Sequence, residues 1–358
     1  MAATPLPVSS SDEWSPLKSV IIGRAKNSMF PHEHKRMIAA TTSAKYVDEF
    51  RRGNPFPAHI TEAADRELDQ FASILEGRGI RVYRPAEVDW AAVGGYTGSM
   101  VRDGLLVVGS TIIESAYSWR CREHEVDLML EQLLFELARD ERVNVVRAPK
   151  PPARETLYDG FPDANGINPL NGVRWAINNS RIAFDAADFI RFGKHVVGQL
   201  SHVTNDKGIE YVRKHLPEGY SLDVIELDDP HSMHLDTGLL PLREGLLIYN
   251  PARVSRKALE RIPFLSAWEC KPFPFTPTPR ADPPSYMTSD WLVMNVLVLD
   301  PHTIMVDEAD PDFARFLRDE CGMETISCPF RHVNSLGGSF HCATIDLVRS
   351  EEANGSEA

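Results

Sequence analysis

Two short segments, about a hundred residues apart, carry the side chains best suited to chemistry. The first is Met-His-Leu-Asp at residues 233–236, and the second is Leu-Gly-Gly-Ser-Phe-His-Cys-Ala-Thr at residues 336–344. Cys342 follows a Gly-Gly pair and an aromatic residue, a composition typical of a backbone packed closely against a neighbour. Such a loop suits a nucleophile that approaches its substrate closely. Together the segments can supply a thiol, an imidazole and a carboxylate to one site.

Aspartates at or just beyond the ends of predicted strands add further carboxylates: Asp103, Asp185, Asp188 and Asp236. Taken singly, each is better explained as a cap or a solvated residue. In combination with a thiol and a histidine, they form a negatively lined pocket that fits a guanidinium, whose N–H fork matches carboxylates. A thiolate could attack the central carbon of that cation while His234 protonates the departing amine.

The same carboxylates should raise the pKa of Cys342, because nearby negative charge disfavours a thiolate. A bound cation and a protonated His234 would reverse that effect. We therefore expect a thiol in the free protein and a thiolate once substrate is bound.

Charge and composition narrow the class of partner. The chain has 51 acidic and 38 basic residues, a net charge of -13, and 43% hydrophobic residues. This balance argues against a nucleic acid or membrane surface and favours a cationic small molecule. The first residues lack a basic segment followed by an apolar one, and no apolar run reaches the length of a membrane span, so we expect a cytoplasmic protein.

Metal and disulfide chemistry are not indicated. His231 and His234 have His-x-x-His spacing, but the segment reads as a loop without a third fixed ligand. His341 is interpreted as an ordinary polar residue, and no Gly-x-Ser-x-Gly elbow is present. The five cysteines are irregularly spaced, without a Cys-x-x-Cys pair. Four of them are expected to be packing residues: Cys121, Cys270, Cys321 and Cys328.

A pattern of strand, helix and strand repeats five times along the chain. Thr61 is a plausible N-cap of the first helix, and Asp310, Pro311 and Gly322 frame the last one in the usual order of cap, first-turn proline and terminal glycine. The opening strands of the units are predicted at residues 19–22, 105–108 with 112–113, 182–184 with 196–198, 246–249, and 293–299 with 304–306. The closing strands are predicted at residues 80–83, 143–146, 222–225, 267–270 and 326–328.

Five such units favour radial repetition, because each alone buries too little and a closed ring leaves no open sheet edge. We predict one ring-shaped α/β domain over residues 1–358, with frayed tails at about 1–12 and 350–358. An open doubly wound sheet would show the same alternation, but no Gly-x-Gly-x-x-Gly follows a strand here.

Three motifs in order give the chain a family resemblance. Phe-Asp-Ala-Ala-Asp-Phe at residues 184–189, Met-His-Leu-Asp at 233–236 and Ser-Leu-Gly-Gly-Ser-Phe-His-Cys at 335–342 resemble amidinotransferases of the L-arginine:glycine amidinotransferase type. The resemblance runs from about Glu13 to Arg349. It implies the pentein fold, a five-bladed α/β propeller, with no cofactor and often as a homodimer.

The resemblance also implies roles for single residues. Cys342 resembles the family's nucleophile, His234 its general acid and base, and Asp185 the carboxylate that pairs with this histidine. Asp103 and Asp236 resemble the acids that grip the guanidino group.

Further residues match the substrate-binding positions of the family. Arg253 resembles the residue that takes the α-carboxylate of the donor amino acid, and Thr288 and Ser289 fall where the family carries a Ser-Ser pair. Met233 and His231 belong to the loop before the catalytic histidine, where glycine-using members carry an asparagine in place of His231.

The implied activity is ping-pong transfer of the amidino group of L-arginine to a primary amine, through an amidino-cysteine and with release of ornithine. The acceptor stays open between glycine, lysine, another biosynthetic amine and an aminocyclitol phosphate. Two alternatives remain: an arginine-deiminase-like hydrolase that uses water as acceptor, and a catalytically silent propeller that binds a partner.

Overall fold

The computed structural model describes residues 7–42, 53–152, 154, 156–160, 166–277, 282–287 and 289–350. Within these residues the chain forms five three-stranded sheets. The strands are β1 Leu17–Ile22, β2 Arg81–Tyr83, β3 Leu105–Val108, β4 Thr111–Glu114, β5 Asn144–Val146, β6 Phe189–Phe192, β7 His195–Gln199, β8 Ser221–Ile225, β9 Leu239–Arg243, β10 Leu246–Tyr249, β11 Glu269–Pro272, β12 Leu297–Asp300, β13 Thr303–Asp307, β14 Glu324–Cys328 and β15 Thr344–Arg349.

Every sheet has the same internal plan. Its middle strand pairs antiparallel with one neighbour and parallel with the other. A parallel partner requires a crossover connection, and helices occupy these crossovers. None of the described helices combines the length and apolar character of a membrane span. The helices are α1 Lys35–Thr41, α2 Ala58–Gly77, α3 Trp90–Val93, α4 Glu125–Leu137, α5 Asp206–His215, α6 Arg256–Glu260, α7 Pro311–Cys321 and α8 Arg331–Ser335.

One sheet joins the two ends of the described chain, because β1 pairs antiparallel with β15 and parallel with β2. The segment before β1 also packs: Val8 is buried, Ser9 bridges Val348, and Ser10 bridges Gly109. The expectation of a frayed N-terminal tail is therefore wrong for residues 8–12, whose backbone bonds to neighbouring sheets. Residues 1–6 and 351–358 lie outside the described residues.

Local sequence signals located some elements correctly and misplaced others. Helix α7 has Asp310 as its N-cap residue, Pro311 in its first turn and Gly322 in the left-handed conformation at its end, as predicted. The prediction of Thr61 as N-cap is wrong, because α2 begins three residues earlier after a proline. The strand predicted at residues 182–184 is also wrong: the strand lies at β6, and β9 was not predicted at all.

Helix α2 supports the segment that leads to Cys342. Its apolar face is buried, and Phe71 on that face lies edge-on to Phe340, with 5.2 Å between ring centroids. Phe340 also stacks on Phe330 at 3.9 Å. These rings bury a large apolar area two residues before the thiol, which fixes the position of the loop.

Candidate active site

The site is assembled from one segment of each sheet, the segment immediately before the strand that pairs antiparallel with the middle strand. Four of these segments are short 3-10 turns, and neighbouring turns contact one another. The fifth is the glycine-containing loop that leads into β15. The turns are Val101–Asp103 before β3, Ala186–Asp188 before β6, Leu235–Thr237 before β9 and Asp290–Met294 before β12.

The loop that carries Cys342 depends on its two glycines. Gly337 has φ 135°, a conformation that favours glycine, and a methyl group there would lie 2.5 Å from the Tyr96 hydroxyl oxygen. A methyl group on Gly338 would lie 2.4 Å from Cβ of Cys342 and 2.5 Å from the Met100 sulfur. The close approach inferred from the Gly-Gly pair is therefore an approach to protein atoms around the thiol.

Asn295 holds the backbone of the nucleophile. Its side-chain Oδ1 accepts hydrogen bonds from the backbone N–H of Cys342 at 3.0 Å and of Ser339 at 3.2 Å. Asn295 is fully buried and directly follows the turn Asp290–Met294. Sequence reasoning missed it, although it lies two residues before its strand, as Asp103 does.

The thiol of Cys342 rests against a carboxylate. Its Sγ donates to Oδ2 of Asp236 at 3.3 Å. Burial, together with the charge of Asp236, raises the pKa of Cys342 to about 12. Burial would also raise the pKa of Asp236, but the hydrogen bond and charge of His341 bring that pKa to about 2. The free site therefore pairs a protonated thiol with an ionised carboxylate, in agreement with the expectation from the sequence.

His234 lies between two carboxylates. Its Nε2 donates to Oδ2 of Asp185 at 3.0 Å, and its Nδ1 lies 3.6 Å from Oδ1 of Asp103. Burial opposes the charge, but Asp103 and Asp185 raise the pKa of His234 well above its usual value, so the ring is an imidazolium. Burial raises the pKa of Asp185 to about 6.

The backbone at His234 is strained, and the side chain of Asp188 supports it. Its φ of 63° is uncommon for a residue with a side chain. Its N–H donates to Oδ1 of Asp188 at 2.9 Å, and Asp188 also accepts from Gln199, Ser201 and Thr204. Asp188 thus acts on the site through the backbone of His234, and it is neither a solvated residue nor the cap of a helix.

Arg122 supports Asp103, and sequence reasoning did not find it. Its Nη1 donates to Oδ2 of Asp103 at 2.6 Å, and its Nη2 lies 2.8 Å from Glu125. The guanidinium also lies 4.7 Å from the centroid of the Tyr117 ring. All of these side chains are buried, and burial raises the pKa of Glu125 to about 7. Arg122 therefore holds Asp103 through Oδ2 and does not bind Oδ1.

In the group of acids around Cys342 and His234, three buried carboxylate oxygens accept no hydrogen bond from the described protein: Oδ1 of Asp103, Asp185 and Asp236. Buried acceptors without donors are costly, and a planar cation rich in N–H groups would satisfy them. Asp103, His234 and Cys342 also offer three atoms within 4.8 Å of one another, close enough to hold a metal. A metal would need a neutral imidazole and a thiolate, and the surrounding carboxylates oppose both, so the chemistry of the set favours a guanidinium.

The structure brings Cys342, His234, Asp185, Asp103 and Asp236 together in one buried group. The remaining predicted residues that the structure describes lie at the edge of this group or outside it.

Arg253 lies at the edge of this group. It donates to Oδ2 of Asp229 at 2.5 Å and to the hydroxyl of Thr237, the residue after Asp236. Met233, half-buried, packs against the apolar cluster that contains Cys342.

His231 and Ser289 lie further out. His231 is exposed, with Nδ1 2.8 Å from the carbonyl oxygen of Ala40 in α1. Ser289 is exposed at the start of the turn that leads to Asn295. Thr288 lies outside the described residues.

Comparison with known proteins identifies the family. No family model matches the chain. A protein of Pseudomonas savastanoi pv. phaseolicola named L-arginine:L-lysine amidinotransferase is 36% identical over 359 residues, which cover 96% of this chain and 94% of the relative. The chain belongs to the amidinotransferase family. This amidinotransferase is also 34% identical over 357 residues to the mitochondrial glycine amidinotransferase of Danio rerio, covering 96% of the chain and 83% of the relative.

A solved amidinotransferase has a similar structure. SxtG from Microseira wollei, in the saxitoxin biosynthetic pathway, superposes with a TM-score of 0.84 at 31% identity, covering 98% of this chain and 99% of its own. The family resemblance stated from three sequence motifs is thereby confirmed, and the protein is a transferase. The names of the two relatives give different acceptors, lysine and glycine, so membership in the amidinotransferase family leaves the acceptor open.

Proposed function

We propose that this amidinotransferase moves the amidino group of L-arginine to a primary amine through a covalent amidino-Cys342, releasing L-ornithine. The observation that carries the proposal is the set of buried carboxylate oxygens without hydrogen-bond donors around the Cys342 thiol and the His234 imidazolium. A guanidinium supplies donors to those oxygens and brings its electrophilic carbon to the sulfur.

In the first half-reaction, the guanidinium of arginine enters between Asp103 and Asp236, and its charge lowers the pKa of Cys342 so that the thiol proton leaves to solvent. The thiolate forms a bond to the guanidino carbon. His234, oriented by Asp185, gives its proton to the departing nitrogen, and the carbon–nitrogen bond breaks to release ornithine. The enzyme then holds an amidino-thioether, and His234 is neutral.

In the second half-reaction, the acceptor amine enters the space that ornithine has left. Its nitrogen attacks the amidino carbon and loses a proton to the neutral His234, which becomes the imidazolium again. The carbon–sulfur bond breaks, and the guanidino product leaves with Cys342 as thiolate. These steps use side chains of the chain itself and call for no cofactor.

We propose that the predicted residues outside the buried group recognise the amino-acid end of the substrates. Arg253 receives the α-carboxylate of arginine, which takes the place that the Asp229 carboxylate holds at its guanidinium in this structure. Met233, His231 and Ser289 are proposed to line the entrance, and Thr288 remains a predicted substrate-binding residue. The side chain of Asp229 also accepts from the His231 N–H at 2.9 Å. When the substrate carboxylate displaces Asp229 from Arg253, the loop before His234 would therefore also be affected, because His231 belongs to that loop.

The five sheets are proposed to be the blades of one pentein propeller that spans the chain. The repeated strand order, the closure of β15 onto β1, and the four turns and one loop that meet at the site support this arrangement. A cytoplasmic homodimer remains the prediction for location and assembly. Light scattering during size-exclusion chromatography would measure the oligomeric state.

Intact-protein mass spectrometry after incubation with L-arginine tests the function. The proposal expects a mass gain of one amidino group (CH2N2), located by peptide mapping on Cys342, with one equivalent of ornithine released before any acceptor is added. Citrulline and ammonia in place of ornithine would show the hydrolase. A protein that gives neither adduct nor turnover with any amine would be a binding module, and the proposal would be wrong.

The acceptor is identified by supplying arginine with a panel of amines, each at equal concentration, and finding the guanidinylated product. The panel includes glycine, L-lysine, a set of unbranched primary amines and an aminocyclitol phosphate. Ping-pong kinetics, with parallel lines in double-reciprocal plots for arginine and the productive amine, are expected.

A further inference from the structure

We propose that His341, the residue directly before the nucleophile, is a positioning residue that holds Asp236 charged and turned toward the substrate guanidinium, with Glu13 as its second anchor. This proposal rests on the function proposed above and adds a residue that sequence reasoning had interpreted as an ordinary polar side chain.

The first observation is that His341 lies between two carboxylates. Its Nδ1 is 2.8 Å from Oδ2 of Asp236, and its Nε2 is 3.3 Å from Oε2 of Glu13. A neutral imidazole can donate from only one nitrogen, whereas an imidazolium donates from both. Both carboxylates are buried, and His341 is 7% exposed. The geometry therefore calls for a positively charged ring beneath Asp236.

The second observation is that Glu13 is itself rigidly held. Arg191 binds it through two nitrogens, with Nε 2.7 Å from Oε1 and Nη2 2.6 Å from Oε2. The same guanidinium lies 2.7 Å from Asp346 on β15. A bidentate, buried pair of this kind fixes the carboxylate that faces His341, so the imidazole has one orientation.

The third observation concerns the two oxygens of Asp236. Oδ2 receives both His341 and the thiol of Cys342, while Oδ1 has no donor in the described protein. His341 thus decides which oxygen faces the protein and which is left for the substrate. Burial opposes the ionised form of Asp236, and the charge of His341 favours it, together with the charge of His234 and the Asn295 side chain.

The charged groups around His341 determine whether its pKa is raised or lowered. Asp236 and Glu13 favour its charged form, Arg102 opposes it, and Asp346 interacts with it from β15. Arg102 also donates from Nε to the backbone carbonyl of His341 at 3.2 Å. Despite burial and Arg102, the pKa of His341 is raised from its usual value, which agrees with the geometric requirement for a charged ring.

The decisive experiment measures the Kd of L-arginine by calorimetry as a function of pH, in a Cys342→Ala background that cannot turn over. His341→Asn keeps a neutral donor toward Asp236 but removes the charge. The pKa of Asp236 should then rise, so arginine affinity should begin to fall at a higher pH than in the parent. Below that pKa, Kd should increase about tenfold for each pH unit.

Two further variants keep the test selective. Glu13→Gln removes the second anchor and should shift the affinity profile in the same direction by a smaller amount, which also serves if His341→Asn fails to fold. His332→Asn is the matched control, because Nδ1 of His332 binds Glu67 at 2.6 Å in a histidine–carboxylate pair outside the site. It should leave the arginine profile unchanged.

The outcomes are distinct. A shifted profile in folded His341→Asn or Glu13→Gln, with His332→Asn unchanged, supports the proposal. A profile that matches the parent in a folded His341→Asn or, failing that, Glu13→Gln overturns the role of His341 and leaves the proposed function standing. No arginine binding by the Cys342→Ala parent at any pH overturns the proposed function and the role of His341 with it.

Discussion

The sulfur of Cys342 lies 3.3 Å from Oδ2 of Asp236, so the side chain proposed as nucleophile rests on a carboxylate that disfavours its reactive form. This contact protects the thiol from oxidation and alkylation, which require a thiolate. It also ties activation to the substrate, because a bound guanidinium neutralises the same carboxylate.

Replacement of Cys342 by alanine should abolish transfer while leaving the fold intact. We expect kcat to fall by about a thousandfold or more, because the covalent intermediate cannot form. Ornithine release and intact mass after arginine addition measure the effect, and circular dichroism checks the fold. Cys270→Ala is the control: Cys270 is half-buried on β11, and its loss should leave turnover unchanged. Appreciable residual transfer by Cys342→Ala would contradict the assignment.

Replacement of Asp236 by asparagine should lower the pKa of Cys342, because it removes the negative charge beside the sulfur. The expected shift is about one pH unit or more toward acid. Ultraviolet thiolate absorbance, measured against the same variant carrying Cys342→Ala, reports the titration. Asp312→Asn, an exposed change on α7, should not move the midpoint. An unchanged midpoint in Asp236→Asn would show that burial alone sets this pKa.

Replacement of Gly338 by alanine should lower kcat more than stability. The added methyl would lie 2.4 Å from Cβ of Cys342, so the loop must shift and displace the sulfur. We expect a loss in kcat of about a hundredfold, the scale of a displacement near 1 Å. Gly77→Ala, at the end of α2 with no atom within 4 Å of the added carbon, is the control. Equal kcat in the two variants would refute the tight packing of this loop.

Replacement of Arg253 by glutamine should affect only donors that carry a carboxylate. We expect kcat/KM for L-arginine to fall about tenfold to a hundredfold, the usual range for losing a hydrogen bond to a charged group. Turnover of agmatine, which is arginine without its carboxylate, should be the same in the variant and the parent. Arg256→Gln, an exposed change on α6, controls for loss of positive charge. A parallel loss for both donors would remove Arg253 from carboxylate recognition.

Replacement of Arg191 by methionine should destabilise the protein, since it leaves Glu13 and Asp346 as buried charges without their partner. The free energy of unfolding should fall by about 3–5 kcal/mol. Denaturant unfolding measures it, and Arg256→Met, on the surface, should change it by less than about 0.5 kcal/mol. A surface-like effect at Arg191 would contradict the buried network.

Acid should weaken the same network. Despite burial, which alone would raise them, the pKa values of Glu13 and Asp346 in the folded protein lie well below their usual values, because Arg191 and Arg102 respectively stabilise their charged forms. The stability they contribute is therefore present above their unfolded pKa values of about 4 and is lost as the pH falls toward the folded ones. Unfolding midpoints of the parent should drop in this acidic window, and those of Arg191→Met should drop less.

The sequence was sufficient where the signal is local. Asp310, Pro311 and Gly322 set the ends of α7 through capping geometry within one helix, and the Gly-Gly pair before Cys342 indicated a close approach that the structure contains. The apolar residues 182–184 were wrongly predicted as a strand, because a short apolar stretch has the same pattern in a strand and in a loop that packs against the core.

The supporting contacts of the site, by contrast, were decided by the tertiary structure. The thiol, the imidazole and the aspartates were predicted from the sequence alone, because each belongs to a short motif of consecutive residues. Asn295 lies 47 residues before Cys342, and Arg122 lies 19 residues after Asp103, and both contacts became visible only in the folded chain. The contact between Glu13 and His341 depends on the closure of β15 onto β1, which brings together segments more than three hundred residues apart. No local pattern encodes such contacts, and the pKa values of Cys342 and His234 depend on burial and on aspartates that other sheets bring to the site.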